Sequence, residues 1–448
     1  LIGADTLTYG ELDRRVSRIA GALRETSEPG SRVGVYLPKN EGYVVPLLAL
    51  LRAGMVAVPL STRTPSSGVP PLLERAGCSA LISMPSFKPE IPHGVRLLEA
   101  EGLDRGPELP GGDWGLDDPA TVVFTSGSTG GPKAALHSLG NHYYSALGSN
   151  ENIPLAPGDC WLAPLPFHHV GGLGVLFRCL VSGAALALPQ SGEPVGEAAV
   201  RLGATHASLV ATQLRRLLRE ETVPDSLRAV LLGGGAIPET LLDAATEAGL
   251  PVHTSYGMTE MSSQITTTPP RASRETLRTS GRVLTHRELR ISDGGEILVR
   301  GQTLFQGYLG GGDPRDPTDA EGWFHTGDLG HLDAGGYLNV LGRLDNMFVS
   351  GGENVQPEEI ETVLKRVTGV AEAVVVPVPD DEFGYRPAAF IRSGDKLDGN
   401  ALSARLEPLL PRFMIPVIFH PWPEADSGMK PDRKLLARLA REHREKGE

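Results

Sequence analysis

The sequence predicts an α/β protein of two domains, and three observations carry that prediction. Short apolar runs alternate with helical stretches along most of the chain. Its 448 residues exceed what one hydrophobic core usually spans. After Gly342 the pattern changes character, which places a larger domain over 1–342 and a small one over 343–448.

Residues 11–23 read as the first helix, because Leu12, Val16, Ile19, Ala20 and Leu23 fall on one face at helical spacing. The run 32–37 reads as a buried strand. The most apolar stretch, 43–60, is interrupted by Pro46, Arg52 and Gly54, so it reads as a packed helix leading into a strand at 55–60 and not as a membrane span. Further runs at 120–124, 184–188 and 229–232 read as buried strands. The stretches 269–278 and 310–319 are expected to be mobile loops. Beyond Gly342 come a polar, glycine-rich hairpin-like segment, an acidic helix over 357–365 and a strand over 373–378. The chain carries no internal repeat.

With 42 Lys+Arg against 54 Asp+Glu, the formal charge of −12 argues against a nucleic-acid footprint and leaves anion handling to local sites. Cys78, Cys160 and Cys179 are too few and too scattered for a disulfide framework or a paired-cysteine metal site. They read as core residues and point to a reducing, cytoplasmic setting. The first residue is Leu, not Met, and the opening lacks the basic and apolar regions of a secretory signal, so an incomplete N-terminus is expected.

The most informative string is TSGSTGGPK, from Thr125 to Lys133, which leaves the apolar run 120–124. Glycines let backbone N–H groups converge on anionic oxygens, and hydroxyls add donors without bulk. It is not a Walker A loop, because Pro132 stands where the second glycine belongs and Ala134 where the magnesium-binding hydroxyl belongs. Taken alone, the string fits either a phosphate loop or a solvated turn.

Other strings follow in order: PFHHVGG at 166–172, LGGGAIP at 232–238, SYGMTE at 255–260, HTGDLG at 325–330, GRLDNMFVSGGENVQPEEIE at 342–361 and SGMK at 427–430. Together they resemble the acyl-adenylating superfamily of acyl-CoA synthetases, luciferases and peptide-synthetase adenylation domains, over nearly the whole chain. The resemblance implies a large multi-sheet N-terminal adenylating domain and a small mobile α+β C-terminal domain. It also implies a chemistry. A carboxylate is a poor acyl donor, so one of its oxygens attacks the α-phosphorus of ATP, and a thiol then takes the acyl group from the mixed anhydride. Charge on a phosphoryl group in transit calls for Mg²⁺ and fixed cationic or N–H donors.

By that resemblance Thr125, Ser126, Gly127, Ser128, Thr129 and Gly130, with Lys133, hold the β- and γ-phosphates of ATP. Gly233, Gly234, Gly235 and Ala236 pass along the adenine, and Tyr256, between Ser255 and Gly257, stacks on it. Thr259 bonds the α-phosphate, Glu260 is the Mg²⁺ ligand, and Asp328 and Arg343 take the ribose hydroxyls. Adjacent His168 and His169 suggest a metal, but no third His or Cys lies at ligand spacing. The resemblance implies instead that His169 orients the substrate carboxylate or moves to admit the thiol. Lys430 neutralises charge during adenylation, although the family commonly has S-G-K and Met429 intervenes here. Asp345 sits where the family rotates the small domain, which exchanges Lys430 for Gly351, Gly352 and Glu353 near the coenzyme A channel.

For the acid, the segments THASLVATQLRRLL, GLGVLFR and MTEMSSQITT are similar to o-succinylbenzoate–CoA ligases of menaquinone biosynthesis. That acid has a second, aromatic carboxylate. Arg178, Ser208, Ser263 and Gln264 occupy motif positions that line the pocket, and an arginine fork suits a carboxylate. A plain structural arginine stays open, as do a ligase for another aryl or fatty acid, a stand-alone adenylation domain and a non-catalytic acyl-adenylate-binding protein. The implied partners are small molecules, with no nucleic acid and no stable membrane insertion; a homo-oligomer is left open.

Overall fold

The structure is a computed structural model that describes residues 1–3, 6–87, 89–125, 132–220, 224–310, 314–350, 353–380, 383–394, 398–423 and 432–445. The first helix, Tyr9–Thr26, starts at a reciprocal cap in which Glu11 N donates to the Thr8 hydroxyl and Thr8 N donates to the Glu11 carboxylate. It buries the expected face of Leu12, Val16, Ile19, Ala20 and Leu23. The most apolar stretch folds as the helix Glu41–Arg52 and the strand Val56–Pro59. Among the described residues no helix is long and apolar enough to cross a membrane.

The chain forms two compact units: Leu1–Ala236 with Asp243–Leu289 and Val299–Phe324, and Ile237–Leu242 with Arg290–Leu298 and His325–Glu448. The first holds two seven-stranded sheets. One runs Gly307–Leu309, Lys133–Ser138, Pro119–Thr125, Val56–Pro59, Arg32–Val35, Ala80–Ser83 and Arg96–Glu99. The other runs Arg282–Val283, Ser263–Thr267, Val252–Met258, Ala229–Leu232, His206–Leu209, Cys160–Leu162 and Ala185–Ala187. Most neighbours are parallel, and the inner strands Val56–Pro59, Ala80–Ser83, His206–Leu209 and Ala229–Leu232 are buried along their whole length, which is why such strands read as continuous apolar runs without alternation. Cys78, Cys160 and Cys179 are free and buried, as expected of core residues.

In the second unit, Phe324–Leu332 pairs antiparallel with Leu338–Arg343, setting Asp328 opposite Arg343. A five-stranded sheet then carries the hairpin Phe348–Ser350 and Glu353–Val355, the long pair Val370–Asp380 and Gly384–Ser393, and Ile418–Pro421. Its strand Val370–Asp380 alternates faces at period two. Ala373 and Val375 pack with Ile360 and Leu364 of the helix Pro357–Arg366, whereas Val374 and Val376 pack with Leu436 and Ala440 of the helix Arg433–Glu445.

The α/β expectation, with a large multi-sheet N-terminal part and a smaller C-terminal one, therefore holds. One expectation needs correction: 269–278 is not loop throughout. Ser273 accepts from Thr276 N at 3.1 Å and caps the short helix Arg274–Leu277. Within 310–319, Arg315 bridges Tyr308 and Thr318 bridges Phe324.

Candidate active site

The strand Pro119–Thr125 ends at half-buried Thr125, and the next strand begins at exposed Lys133. Thr125 and Lys133 are paired across the antiparallel ladder, so the two flanks of the hydroxyl-rich loop stand side by side. Ser126, Gly127, Ser128, Thr129 and Gly130 lie outside the described residues, as do Gly351, Gly352 and Lys430.

Gly233, Gly234, Gly235 and Ala236 follow the buried strand Ala229–Leu232 and come to the surface. Gly234 has φ +84°, and a Cβ there would also stand 3.2 Å from Val210 Cγ1, so glycine is required. Ser255 donates to Leu232 O at 2.7 Å, tying the adjacent strand to the start of this turn. Tyr256 lies next to it, half-buried, and a bulge follows between Tyr256 and Gly257. A Cβ at Gly257 would sit 2.0 Å from Ser263 O, so the bulge admits no side chain.

Thr259 and Glu260 occupy the single turn Thr259–Met261 beyond that bulge. Three anchors hold the turn. His137 Nε2 donates to Thr259 O at 2.7 Å, Phe305 N donates to Glu260 O at 2.8 Å, and the Tyr308 hydroxyl donates to the Glu260 carboxylate. Burial pushes His137 down to about 4, so it is neutral, with the proton on Nε2 because a carbonyl can only accept. Ser262 and Ser263, immediately after, hold φ values of +58° and +150° without being glycine, a strained stretch beside that turn. Glu260 is buried, yet no cation pairs with it among the described residues. A buried carboxylate in that state suits a hard divalent cation whose other oxygens come from phosphates and water. Glu260 therefore fits Mg²⁺, although no cluster of three protein ligands exists among the described residues.

The four acyl-pocket candidates come together. Arg178, on the helix Val170–Ser182, is completely buried and reaches Gln264 Oε1 at 2.5 Å and Ser263 Oγ at 3.3 Å. Gly174, one turn earlier, leaves room, since a Cβ there would be 3.3 Å from Arg178 Nη2. Ser208 joins through Trp161, whose Nε1 donates to Ser208 Oγ at 3.0 Å and whose ring lies 5.1 Å from the guanidinium. Burial lowers Arg178 to about 10, and among the described residues no carboxylate pairs with it. Its Nε has no hydrogen-bond partner there.

His169 caps the same helix at its N-terminus, exposed, with its ring 4.5 Å from that of His168. Burial, then the neighbouring His169, holds His168 down at about 4. Under this loop Lys39 donates to Ala163 O and lies 5.9 Å from the Phe167 ring centroid, and burial lowers its ammonium to about 7.

In the second unit Arg343 donates to Asp328 at 3.1 Å and grips Asp345 with two bonds of 2.9 and 3.3 Å. Gln356 donates to Arg343 O at 3.1 Å and also to Glu358. Arg433 lies 2.7 Å from Glu361 and 3.1 Å from Glu358, and donates to Val375 O at 2.8 Å.

The AMP-binding enzyme model matches residues 2–309, and that of the AMP-binding enzyme C-terminal domain matches 359–425. The chain belongs to the AMP-binding enzyme family. Within this family, the 2-succinylbenzoate–CoA ligase of Bacillus pumilus (strain SAFR-032) is 36% identical over 432 residues, covering 92% of this chain and 88% of that protein. The o-succinylbenzoate CoA synthetase of Bacillus subtilis, solved with the acyl-adenylate intermediate OSB-AMP, superposes with a TM-score of 0.88 at 32% identity over 96% of each chain. The same enzyme solved with ATP and magnesium ion gives a TM-score of 0.85 at 32% identity, covering 94% of this chain and 92% of that one.

Sequence reasoning missed Trp161, His137, Tyr308 and Arg287. Arg287 is buried, donates to Gln264 O at 2.6 Å and to Tyr144 O at 3.3 Å, and is lowered to about 9 by burial and then by the nearby Arg178 charge. None of the four sits in a family string quoted for its chemistry. Sheet order and long-range pairing alone bring them to the site.

Proposed function

We propose that this enzyme is an ATP-dependent, AMP-forming acid–thiol ligase that converts o-succinylbenzoate to o-succinylbenzoyl-CoA in menaquinone synthesis. The observation that carries the choice of acid is Arg178, a buried cation with hydrogen-bonding neighbours and no carboxylate beside it among the described residues. Such a charge is costly unless an anion completes it. The aromatic carboxylate of o-succinylbenzoate supplies that anion, and Ser208, Ser263 and Gln264 orient it.

The succinyl carboxylate attacks the α-phosphorus and pyrophosphate leaves; the thiol of coenzyme A then attacks the acyl carbon and AMP leaves. Glu260 would hold magnesium, which would supply charge neutralisation at the phosphates. Thr125 to Gly130 and Lys133 bind the β- and γ-phosphates, and Thr259 the α-phosphate. Gly233 to Ala236, Ser255, Tyr256 and Gly257 form the adenine seat, and Asp328 and Arg343 bind the ribose. His169 orients the succinyl carboxylate. Lys430 serves adenylation, and a torsional change at Asp345 turns residues 343–448 so that Gly351 and Gly352 serve thioester formation. The use of ATP and coenzyme A supports a cytoplasmic setting.

Pyrophosphate release over a panel of acids, with and without coenzyme A, tests the reading. Release with o-succinylbenzoate and thioester only when coenzyme A is present is the expected result; release with another acid alone rejects the substrate. Lys430→Ala should slow acyl-adenylate formation by about 10² or more while thioester formation from supplied acyl-adenylate survives. Asp345→Pro, which fixes φ, should let adenylate accumulate and block transfer. Equal losses in both half-reactions would refute these assignments.

A further inference from the structure

Tyr308 occupies the edge strand Gly307–Leu309, which pairs antiparallel with Lys133–Ser138 and so sets Tyr308 opposite Ala135, two residues from Lys133. Its neighbours are stitched to the same two regions: Gln306 N donates to Leu136 O at 2.8 Å and Phe305 N donates to Glu260 O at 2.8 Å. The Phe305 ring meets the Tyr308 ring edge-on at 4.8 Å. This short strand therefore ties the flank of the phosphate loop to the Thr259–Met261 turn.

Two contacts of the Tyr308 side chain link these regions further. Its hydroxyl donates to Glu260 Oε1, and the Lys133 ammonium stands 4.9 Å from its ring centroid. One phenol thus bears on the carboxylate read as the magnesium ligand and on the lysine that closes the phosphate loop. A phenol that served only to fill space would not need its hydroxyl on a buried carboxylate. With Oε1 bonded, the plane of the carboxylate is set, and Oε2 has no hydrogen bond among the described residues. The ring face meanwhile holds the ammonium by its quadrupole. A metal ligand fixed by an outer hydrogen bond binds better than a free one, because its orientation is settled before the metal arrives.

We infer that Tyr308 is a positioning residue for the ATP–magnesium site: its hydroxyl aims Glu260 at the cation and its ring aims Lys133 at the terminal phosphates. The inference rests on reading Glu260 as the magnesium ligand, and it is independent of which acid the enzyme activates.

The test uses the full chain with a non-hydrolysable ATP analogue and no acid, with Mn²⁺ binding followed by electron paramagnetic resonance and analogue binding by calorimetry. Tyr308→Phe, which keeps the ring and loses the hydroxyl, should raise the Mn²⁺ dissociation constant by about ten- to a hundredfold and leave metal-free analogue binding in place. Tyr308→Leu should weaken metal-free analogue binding as well, because Lys133 loses its platform. Wild-type Mn²⁺ affinity in Tyr308→Phe would overturn the inference, and so would tighter binding, which would make the phenol a competitor for the carboxylate. Glu260→Gln is the control: if it leaves Mn²⁺ binding unchanged, the metal-ligand reading fails first. In the two half-reactions, a loss confined to adenylation supports positioning, and equal losses in both mean that Tyr308 supports the fold only.

Discussion

Arg178 in the first unit and Arg433 in the second are both arginines withdrawn from solvent, yet the protein treats their charges in opposite ways. Arg433 is surrounded by its own counter-ions, with Glu361 at 2.7 Å and Glu358 at 3.1 Å. Arg178 has an amide oxygen, a hydroxyl and an indole face, but no carboxylate among the described residues. A cation completed within the chain is structural. On the proposed reading, Arg178 is left incomplete to hold a place for a ligand, and the fold carries that cost until an anion arrives. Lys39 falls between them, held among the described residues by a carbonyl and an aromatic ring.

The largest effect that would break this comparison is on stability. Arg433→Ala leaves Glu361, whose side chain is only 6% exposed, without its partner, and should cost roughly 3 kcal/mol in urea unfolding. Arg178→Met should cost nothing or should stabilise, because it removes a charge that no carboxylate among the described residues balances. If Arg178→Met destabilised as much as Arg433→Ala, the contrast would be lost. Next comes activity. Arg178→Met should lower kcat/KM for o-succinylbenzoate by about 10- to 100-fold, the loss of one charge-assisted bond, and leave the KM for ATP almost unchanged. The analogue lacking the aromatic carboxylate should be insensitive; similar losses on both acids would reduce Arg178 to a structural residue.

The smallest effect concerns Lys39. Its folded pKa near 7 lies below the ordinary 10.5, so the unfolded chain binds more protons between those values and stability rises with pH across that window. Stated the other way, the stabilisation is complete above about 10.5 and is lost as pH falls toward 7. Lys39→Met should flatten that slope and raise stability at pH 7 by about 1 kcal/mol. Urea midpoints at pH 7 and 9.5 decide it, and an unchanged slope would show that the ammonium is not the cause.

Much of the fold was legible because local rules and tertiary packing agree. The face of Tyr9–Thr26 could be read from its helical period, and Ala229–Leu232 from its apolar run. The grouping of Arg178 with Ser263, Gln264 and Ser208 was also foreseen, though only through a family resemblance. No local pattern reveals Trp161 in that group, because Ser208 reaches it only when Cys160–Leu162 lies beside His206–Leu209 in the sheet. Tyr308 was equally hidden, since its partners are 48 and 175 residues away in sequence. The stretch 269–278 was misread because its prolines and polar residues resemble a loop, while Ser273 supplies a cap that starts a helix inside it.

Trp161 also has a use outside the chemistry. It is fully buried, donates to Ser208, and lies against the Arg178 guanidinium. An indole in so dry a place emits toward the blue, and a carboxylate arriving beside Arg178 would change the electric field across it. The other cation-stacked tryptophans, Trp323 over Arg300 and Trp422 over Arg392, are set in surroundings of their own. If Arg178 takes the second carboxylate as proposed, Trp161 is a native optical sensor beside it, by which substrate arrival can be followed without a label and before any bond has formed.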